Sequence, residues 1–324
     1  MGVGCFVSPG KSLQDAVGRV QLAEELGFET AYTTHINGRD SLTVLAAYAA
    51  ATSQIAIGTG VVPIYTRTPA TMAQTAATLE ELSGGRLRLG LGVSHRPVVE
   101  GWHGQTIDKP VSEMREYVAL VRAIVSGSEI PQDTVKWKTM MPLSGVGPFP
   151  TLPIYVAALS PRMLRAAGEF ADGVILWLCN PAYIRDVVVP EVQAGRESVG
   201  KSLDGFDIVA AVPGALVEDT AAAHGVMRRD LIPYFGLPFY RAMIERSGFG
   251  GSIAAYDAGA AQGDVDAMQA GIATEFLDAL CAIGDEDAVR AGIQRYLDAG
   301  ATSPCIGPIA RTDVEATLRA AAPR

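Results

Sequence analysis

Short apolar runs alternate with amphipathic, helix-like stretches along nearly the whole chain. The apolar runs are mostly continuous in hydrophobicity rather than alternating with polar residues, which is typical of strands buried on both faces. Each run is followed by a helical pattern. Eight strands are predicted in this way, over residues 2–7, 30–35, 55–64, 87–93, 153–159, 173–179, 207–214 and 303–309.

Eight βα units in a chain of 324 residues is the number that a TIM barrel contains. The predicted fold class is therefore α/β, a (β/α)8 TIM barrel forming a single domain over residues 1–324, with a doubly wound open sheet as the alternative. Two insertions are expected to be irregular. One is a Pro- and Gly-rich excursion or lid at about 127–152, and the other spans about 214–262, in a region with helical pieces but no convincing strand.

Composition and charge narrow the class of function. The formal net charge is −9 and no basic stripe is present, which argues against a nucleic-acid surface. The four cysteines contain no CxxC pair and indicate buried thiols in a reducing compartment rather than disulfides or zinc ligands. The amino-terminal residues do not resemble a signal peptide, and the longest apolar stretch is shorter than the roughly 20 residues that span a bilayer. We expect a cytoplasmic protein without membrane or nucleic-acid partners.

The stretch LRLGLGVSHRPVVEGWHG, residues 87–104, begins like a dinucleotide-binding glycine loop. His95 stands where the third glycine of such a loop should be, and Arg96-Pro97 is expected to break the chain instead of starting a helix. A dinucleotide-binding loop is therefore not predicted here. His95 and His103 do not share a helix face and lack a nearby third ligand, so no metal site is predicted. Two interpretations of the glycines stay open: space for a flat ligand at the strand end, or packing in a tapering barrel.

Other candidate residues follow the remaining strands. Glycines 58 and 60 interrupt a β-branched strand, which indicates either a bulge near a ligand or a loose strand end. Ser160-Pro161 predicts a capped helix whose amino terminus either binds a phosphate or is an ordinary cap. His35 ends the second strand and suits proton donation, although a lone histidine is more often structural. Arg67 and Glu100 are most simply solvated loop charges.

Taken together, these stretches resemble the luciferase-like monooxygenase superfamily of flavin- and deazaflavin-dependent TIM-barrel oxidoreductases. The resemblance covers nearly the whole chain. Within it, SHRPVVEGWHG is most similar to the branch that uses coenzyme F420, a 5-deazaflavin with a lactyl-glutamyl tail. The most specific parts of the resemblance to the superfamily are SGGRLRLGLGVSHRPVVEGWHG, GTGVVPIYTRTPATMAQTAATLEELSGGR, AGEFADGVILW and AIGDEDAVRAGIQRYLDAGA.

The resemblance implies a deazaflavin or flavin ring in the barrel mouth, often a homodimer, and a non-prolyl cis peptide at Gly60-Val61 behind the ring. It also implies His35 as the catalytic residue. An acidic residue commonly precedes this histidine in deazaflavin members; here the position is Thr34. The glutamate that some members place after the glycine pair is absent, because that position is Val93. The implied cofactor-binding residues are Thr34, His35, Thr59, Gly60, Val61, Gly92, Val93, Ser94, Ala157, Ala158, Leu159, Ser160 and Met163.

The resemblance therefore implies a coenzyme F420-dependent oxidoreductase that transfers a hydride to or from a small organic substrate. An FMN-dependent monooxygenase is one alternative, and a non-catalytic flavin-binding barrel is another. A lyase or aldolase barrel would need a lysine or an acidic metal cluster at a strand end, and none stands out. The aromatic residues Tyr234, Phe235, Phe239 and Tyr240 predict either an apolar wall over the ring or ordinary core packing.

Overall fold

A computed structural model describes residues 2–7 and 10–323. Within these residues eight parallel strands close into a barrel, because the last strand pairs with both the first strand and the strand before it in the barrel. This confirms the predicted TIM barrel and excludes the doubly wound open sheet, which was the alternative. The strands are β1 Gly4–Phe6, β2 Thr30–Thr33, β3 Ala56–Thr59, β4 Val62–Pro63, β5 Leu87–Gly92, β6 Ile154–Ala157, β7 Gly173–Leu176, β8 Asp207–Leu216, β9 Ala282–Gly284 and β10 Ser303–Pro308.

Two of these strands lie outside the set of eight. β4 continues the line of β3 after a break at residues 60–61 and pairs with β5. β9, which the sequence did not predict, pairs with the carboxyl end of β8. Because the strands are all parallel, their carboxyl ends meet at one end of the barrel, which we call the carboxyl rim.

Helices cover the outside of the barrel. The described residues contain no helix of the length and apolar character needed to cross a bilayer. Two π-helical turns, Ile184–Val188 and Glu245–Phe249, join neighbouring helices. The helices are α1 Leu13–Glu25, α2 Ser41–Ala51, α3 Pro69–Ser83, α4 Arg96–His103, α5 Pro110–Ser126, α6 Pro161–Phe170, α7 Pro181–Tyr183, α8 Val189–Ser198, α9 Thr220–Phe235, α10 Pro238–Ile244, α11 Gly250–Gln262, α12 Val265–Ala270, α13 Thr274–Leu280, α14 Glu286–Asp298 and α15 Val314–Ala321.

The interior of the barrel is a packed core. Its centre is filled by the side chains of Tyr32, Tyr155, Ile175, Val209 and Cys305, all of which are buried. Below them, the Tyr155 hydroxyl donates to the carboxylate of Asp207, which begins β8. A ligand can therefore approach the strands only at the carboxyl rim.

The two expected insertions differ in structure. Residues 127–152 contain no helix or strand; the backbone N–H groups of Val135, Lys136 and Trp137 donate to the carboxylate of Glu116 on α5. Residues 214–262, expected to be irregular, are mostly helical through α9, α10 and α11. The sequence obscured this because Pro233, Pro238 and several glycines interrupt the apolar period there.

The turn Ser83-Gly84-Gly85-Arg86 is explained by stability rather than by ligand binding. Gly84 and Gly85 have φ of +66° and +87°, the left-handed region that favours glycine. The Arg86 guanidinium donates to the carbonyl oxygens of Ser83 (2.7 Å), Ile55 (2.7 Å), Thr52 (3.0 Å) and Ala49 (3.2 Å). Arg86 thus joins the end of α3 to the end of α2.

We expect Arg86→Met to lower the free energy of unfolding by about 2–4 kcal/mol, since four carbonyl oxygens lose a charged donor. The measurement is the urea midpoint followed by far-UV circular dichroism. Arg115→Met is the control, because Arg115 is nearly half-exposed and makes a single surface ion pair with Glu169, a kind of pair worth about 1 kcal/mol or less. Equal midpoints for the two variants would contradict the role given to Arg86.

Candidate active site

The predicted site residues lie in four groups on the carboxyl rim, at the ends of neighbouring strands. The first group follows β2, the second lies between β3 and β4, the third spans the end of β5, and the fourth follows β6. In chain order the groups are Thr34 and His35; Thr59, Gly60 and Val61; Gly92, Val93 and Ser94; and Ala157, Ala158, Leu159, Ser160 and Met163.

The break between β3 and β4 is a bulge with the expected cis peptide at Gly60-Val61, which confirms that prediction. Thr59 fixes it from one side: its hydroxyl donates to the Gly90 carbonyl (2.8 Å) and accepts from the Gly90 N–H (2.9 Å). The Gly60 N–H donates to the Thr33 carbonyl at 2.9 Å. The bulge is therefore held by both neighbouring strands.

The glycines of β5 make room for this bulge, not directly for a ligand. A Cβ on Gly90 would lie 2.0 Å from the carbonyl oxygen of Thr59, and one on Gly92 would lie 2.6 Å from a methyl group of Val61. Of the two interpretations that the sequence left open, the structure favours packing, here against the bulge, over space for a flat ligand. Close approach of a neighbouring strand, which a single sequence does not reveal, is the physical reason.

The segment after β5 corrects a second prediction. Arg96-Pro97 does not break the chain; α4 begins at Arg96, with His95 as its N-cap residue. Proline is favoured in the first turn of a helix because its missing N–H would be unpaired there anyway. Just before, Ser94 has φ of +57°, an uncommon value for a residue with a side chain. This turn sets the direction of α4 across the rim.

An aromatic wall crosses the rim from the end of β5 to the end of β7. The ring of His95 lies 5.7 Å from Tyr240, Tyr240 lies 4.9 Å from Tyr234, and Tyr234 lies 6.1 Å from Trp177, which directly follows β7. Since β6 lies between β5 and β7, the wall passes the end of β6. Tyr234 and Tyr240 thus lie in one row of rings, and Tyr240 is at the same time buried in the core.

The other two predicted aromatic residues lie elsewhere. Phe235 is fully buried in the core, and the side chain of Phe239 is 63% exposed. Burial lowers the pKa of His95 below its ordinary value, because desolvation disfavours the charged imidazolium. His95 is therefore a neutral packing residue of the wall.

The turn after β6 presents a capped helix end. The Ser160 hydroxyl accepts from the Met163 N–H at 3.3 Å, and Pro161 occupies the first turn of α6, as predicted. Arg162 on this turn is exposed and, in the described part of the chain, takes part in no salt bridge. Arg165, the other arginine that could add positive charge, is already paired with Glu191 at 2.9 Å.

Three further residues beside this turn escaped the sequence analysis. The Tyr183 hydroxyl donates to the Leu159 carbonyl at 2.7 Å. Burial raises the pKa of Tyr183 to about 12, although the nearby Arg246 guanidinium acts against the rise. Asn180 accepts the Tyr183 N–H at 2.9 Å through Oδ1, while its buried Nδ2 has no hydrogen-bond partner in the described residues. The only sequence signal was Asn180-Pro181, a helix start like Ser160-Pro161.

His35 lies at the end of β2 in contact with the start of α2. Its Nδ1 accepts the backbone N–H of Ser41 at 3.3 Å and lies 2.9 Å from the Ser41 hydroxyl. Because a backbone N–H can only donate, Nδ1 is the unprotonated nitrogen and the ring proton is on Nε2. Nε2 has no hydrogen-bond partner in the described part of the chain.

An acidic residue is present near His35, although not at the expected position. Asp40 Oδ2 lies 3.9 Å from His35 Nδ1, and the same oxygen accepts a hydrogen bond from Arg67. Arg67 is therefore the partner of a carboxylate at the site, which corrects its interpretation as a solvated loop charge. Glu100, by contrast, pairs with Arg96 on the exposed side of α4, as a structural residue would.

The protonation of this group follows from its surroundings. Partial burial lowers the pKa of His35, Asp40 acts to raise it, and the positive charge of Arg67 and nearby His103 act to lower it further. Although burial acts to raise the pKa of Asp40, hydrogen bonds from Thr43 and Arg67 lower it. At neutral pH the group therefore consists of a neutral imidazole, a carboxylate and a guanidinium.

Comparison with known proteins places the chain in a family. The family model of the luciferase-like monooxygenases matches residues 1–303. The chain belongs to the luciferase-like monooxygenase family, as its sequence motifs indicated.

Two relatives and one solved structure give the context. The Mycobacterium tuberculosis protein Rv3520c, provisionally named a coenzyme F420-dependent oxidoreductase, is 34% identical over 67% of this chain and 67% of its own length. The 5,10-methylenetetrahydromethanopterin reductase of Methanolobus tindarius is 30% identical over 89% of this chain and 88% of its own. The structure of the coenzyme F420-dependent tetrahydromethanopterin reductase from Methanopyrus kandleri has a TM-score of 0.84 at 24% identity, with 98% and 96% of the two chains covered, and shares the fold.

Proposed function

We propose that this protein is a coenzyme F420-dependent oxidoreductase that transfers a hydride between the deazaflavin and a small organic substrate. The observation that carries the proposal is the placement of His35 Nε2, a donor without a partner among the described residues, on the same rim as the bulge at Gly60-Val61 and the amino terminus of α6. The names of the relatives at 30% and 34% identity support the choice of F420 as the cofactor.

The residues at the end of β6 fit the phosphate of such a cofactor. Ala157 and Ala158 have no bulky side chain to exclude it, and the first turn of α6 offers backbone N–H groups that a helix leaves unpaired. The buried Nδ2 of Asn180 is a donor that still needs an acceptor. Arg162 in the first turn of α6 and Arg246, which lies near Tyr183, would supply positive charge for an anionic tail.

The remaining residues would hold and enclose the ring. In this proposal the deazaflavin contacts three groups of residues: Thr34 and His35, Thr59 to Val61, and Gly92 to Ser94. Gly92 makes the space that the Val61 side chain occupies, and Val61 contacts the ring. The aromatic wall of His95, Tyr240, Tyr234 and Trp177 excludes water on the β6 side. When bound, the deazaflavin supplies a carbon that accepts or releases a hydride.

His35 has a defined task in this arrangement. A neutral imidazole does not readily give up its only proton, but its Nε2–H can donate a hydrogen bond to an oxygen that gains negative charge. The surroundings of His35 therefore favour stabilisation of negative charge over the proton donation that the sequence suggested.

The dependence of turnover on pH tests this role. Because burial and Arg67 lower the pKa of His35, the neutral form exists above a pH lower than the roughly 6.5 of a free imidazole. We expect turnover to be constant from neutral pH upwards, because the neutral imidazole already has the Nε2–H that donates. A histidine that had to be protonated would give a different result, with activity lost as the pH rises through the lowered pKa.

Titration of the purified protein with F420 and with FMN, followed by fluorescence, tests the choice of cofactor. We expect saturable binding of F420 and no binding of FMN. The reverse outcome would favour the FMN-dependent monooxygenase that the family name suggests. Stoichiometric F420 binding without oxidation or reduction across a broad panel of alcohols, aldehydes, imines and enones would favour a non-catalytic binding protein.

We also expect a cytoplasmic homodimer. Light scattering of the purified protein can measure the mass of the dimer.

A further inference from the structure

The hydrogen bonds around His35 leave one acceptor oxygen in competition. Asp40 Oδ1 accepts from the backbone N–H and the hydroxyl of Thr43, both at 2.9 Å, and so caps α2. Asp40 Oδ2 faces both Arg67 and, at 3.9 Å, His35 Nδ1. Whichever of the two side chains, Arg67 or His35, binds Oδ2 decides whether His35 gains a carboxylate partner.

We propose that Arg67, by binding Asp40 Oδ2, keeps His35 in the neutral form with its proton on Nε2, so that Arg67 and Asp40 are positioning residues of the site. Without the guanidinium, Oδ2 would be free to accept a hydrogen bond from a protonated Nδ1. The imidazolium would then form an Asp–His pair, and the Ser41 N–H would lose its acceptor.

The arrangement also explains why the chain can have Thr34 where an acidic residue is expected. The carboxylate arises six residues after Thr34, from the N-cap position of α2, and reaches the ring from its Nδ1 side. The charged and titratable groups around His35 are Asp40 on α2, Arg67 after β4 and His103 on α4. Of these, Arg67 alone holds Asp40 by a hydrogen bond.

Nuclear magnetic resonance of the apo protein tests the inference without any cofactor. Long-range ¹H–¹⁵N spectra distinguish an Nε2–H from an Nδ1–H imidazole, and the spectrum of His35→Gln assigns the signals. We expect the Nε2–H tautomer in the wild type. In Arg67→Met the titration midpoint of His35 should move to higher pH, since an opposite charge within about 4–6 Å shifts a pKa by about one to three units once it is free to interact.

Variants of both residues separate an effect that acts through Asp40 from the plain loss of the Arg67 charge. Arg67→Lys, which keeps the charge, should restore a midpoint close to that of the wild type. Asp40→Asn keeps the cap on α2 and should lower the midpoint, and in this background Arg67→Met should raise it by much less than in the wild type. Arg122→Met is the matched control, because Arg122 forms a similar pair with Asp172 at the opposite end of the barrel.

Each result decides the matter. An Nδ1–H tautomer, an unchanged midpoint in Arg67→Met, or equal effects of Arg67→Met with and without Asp40 would overturn the inference. The inference rests on the proposed function only for the importance of His35 in turnover. Because the titration uses apo protein, failure of F420 binding and failure of this inference are distinguished by separate experiments.

Discussion

His35→Ala is expected to lower turnover with F420 about 100- to 1,000-fold while changing the cofactor's Kd only a few-fold. Loss of one preorganised donor to a developing negative charge has an effect of about this size. The affinity changes little because His35 is one of many residues that we place against the ring, and the phosphate is held at the end of β6. Stopped-flow absorbance of F420 gives turnover, and fluorescence titration gives Kd.

A second histidine provides the control for this experiment. His224 is buried and paired with Asp278 at 3.4 Å, beside a cavity of about 290 Å³ between α9 and α14 that lies outside the proposed site. His224→Ala should leave turnover of the folded protein near the wild-type value. If His35→Ala retained wild-type turnover, or if Kd rose in proportion to the loss of turnover, His35 would not act as proposed.

The fold was predictable because its determinants are local. Most barrel strands are continuous apolar runs, and turns after strands contain residues with a defined preference, such as the N-cap residues Ser160 and Asp285. β9, which is three residues long, was missed. α4 was missed because a proline that starts a helix was interpreted as one that breaks the chain.

The chemistry around His35 was not predictable in the same way. Asp40 is close in sequence, but only the direction of the turn between β2 and α2 brings its carboxylate to His35 Nδ1. Arg67 comes from the loop between β4 and α3, and its hydrogen bond to Asp40 joins this loop to the start of α2. All three residues can be identified in the sequence. The competition of Arg67 and His35 for one oxygen of Asp40, however, arises only in the closed barrel.

The same distinction applies to the glycines of β5. The sequence marked Gly90 and Gly92 as positions without side chains, and the structure assigns the reason to Thr59 and Val61 of the neighbouring strand. The functional consequence is indirect. Replacing either glycine would disturb the bulge first, so loss of activity in such a variant would not identify a ligand contact.

The phosphate site at α6 leads to the second large expected effect, a loss of F420 affinity of about 10- to 100-fold in Ser160→Asp. A carboxylate at the N-cap repels a phosphate placed on the same helix end, by about 1.4–2.8 kcal/mol at contact distance and an intermediate dielectric. Aspartate is as good an N-cap as serine, so the substitution preserves α6. Ala158→Asp would be a poorer test, since Ala158 is 2% exposed and the variant would bury an unpaired charge.

Ser160→Asn is the matched control, because asparagine has the shape of aspartate and caps the helix without the charge. It should bind F420 nearly as well as the wild type. The deazaflavin riboside, which lacks the phosphate and the glutamyl tail, should bind all three proteins equally, and added salt should narrow the difference seen with F420. If Ser160→Asp bound F420 as tightly as Ser160→Asn at low salt, the phosphate would have to lie elsewhere on the rim, and Arg162 and Arg246 would lose their proposed role.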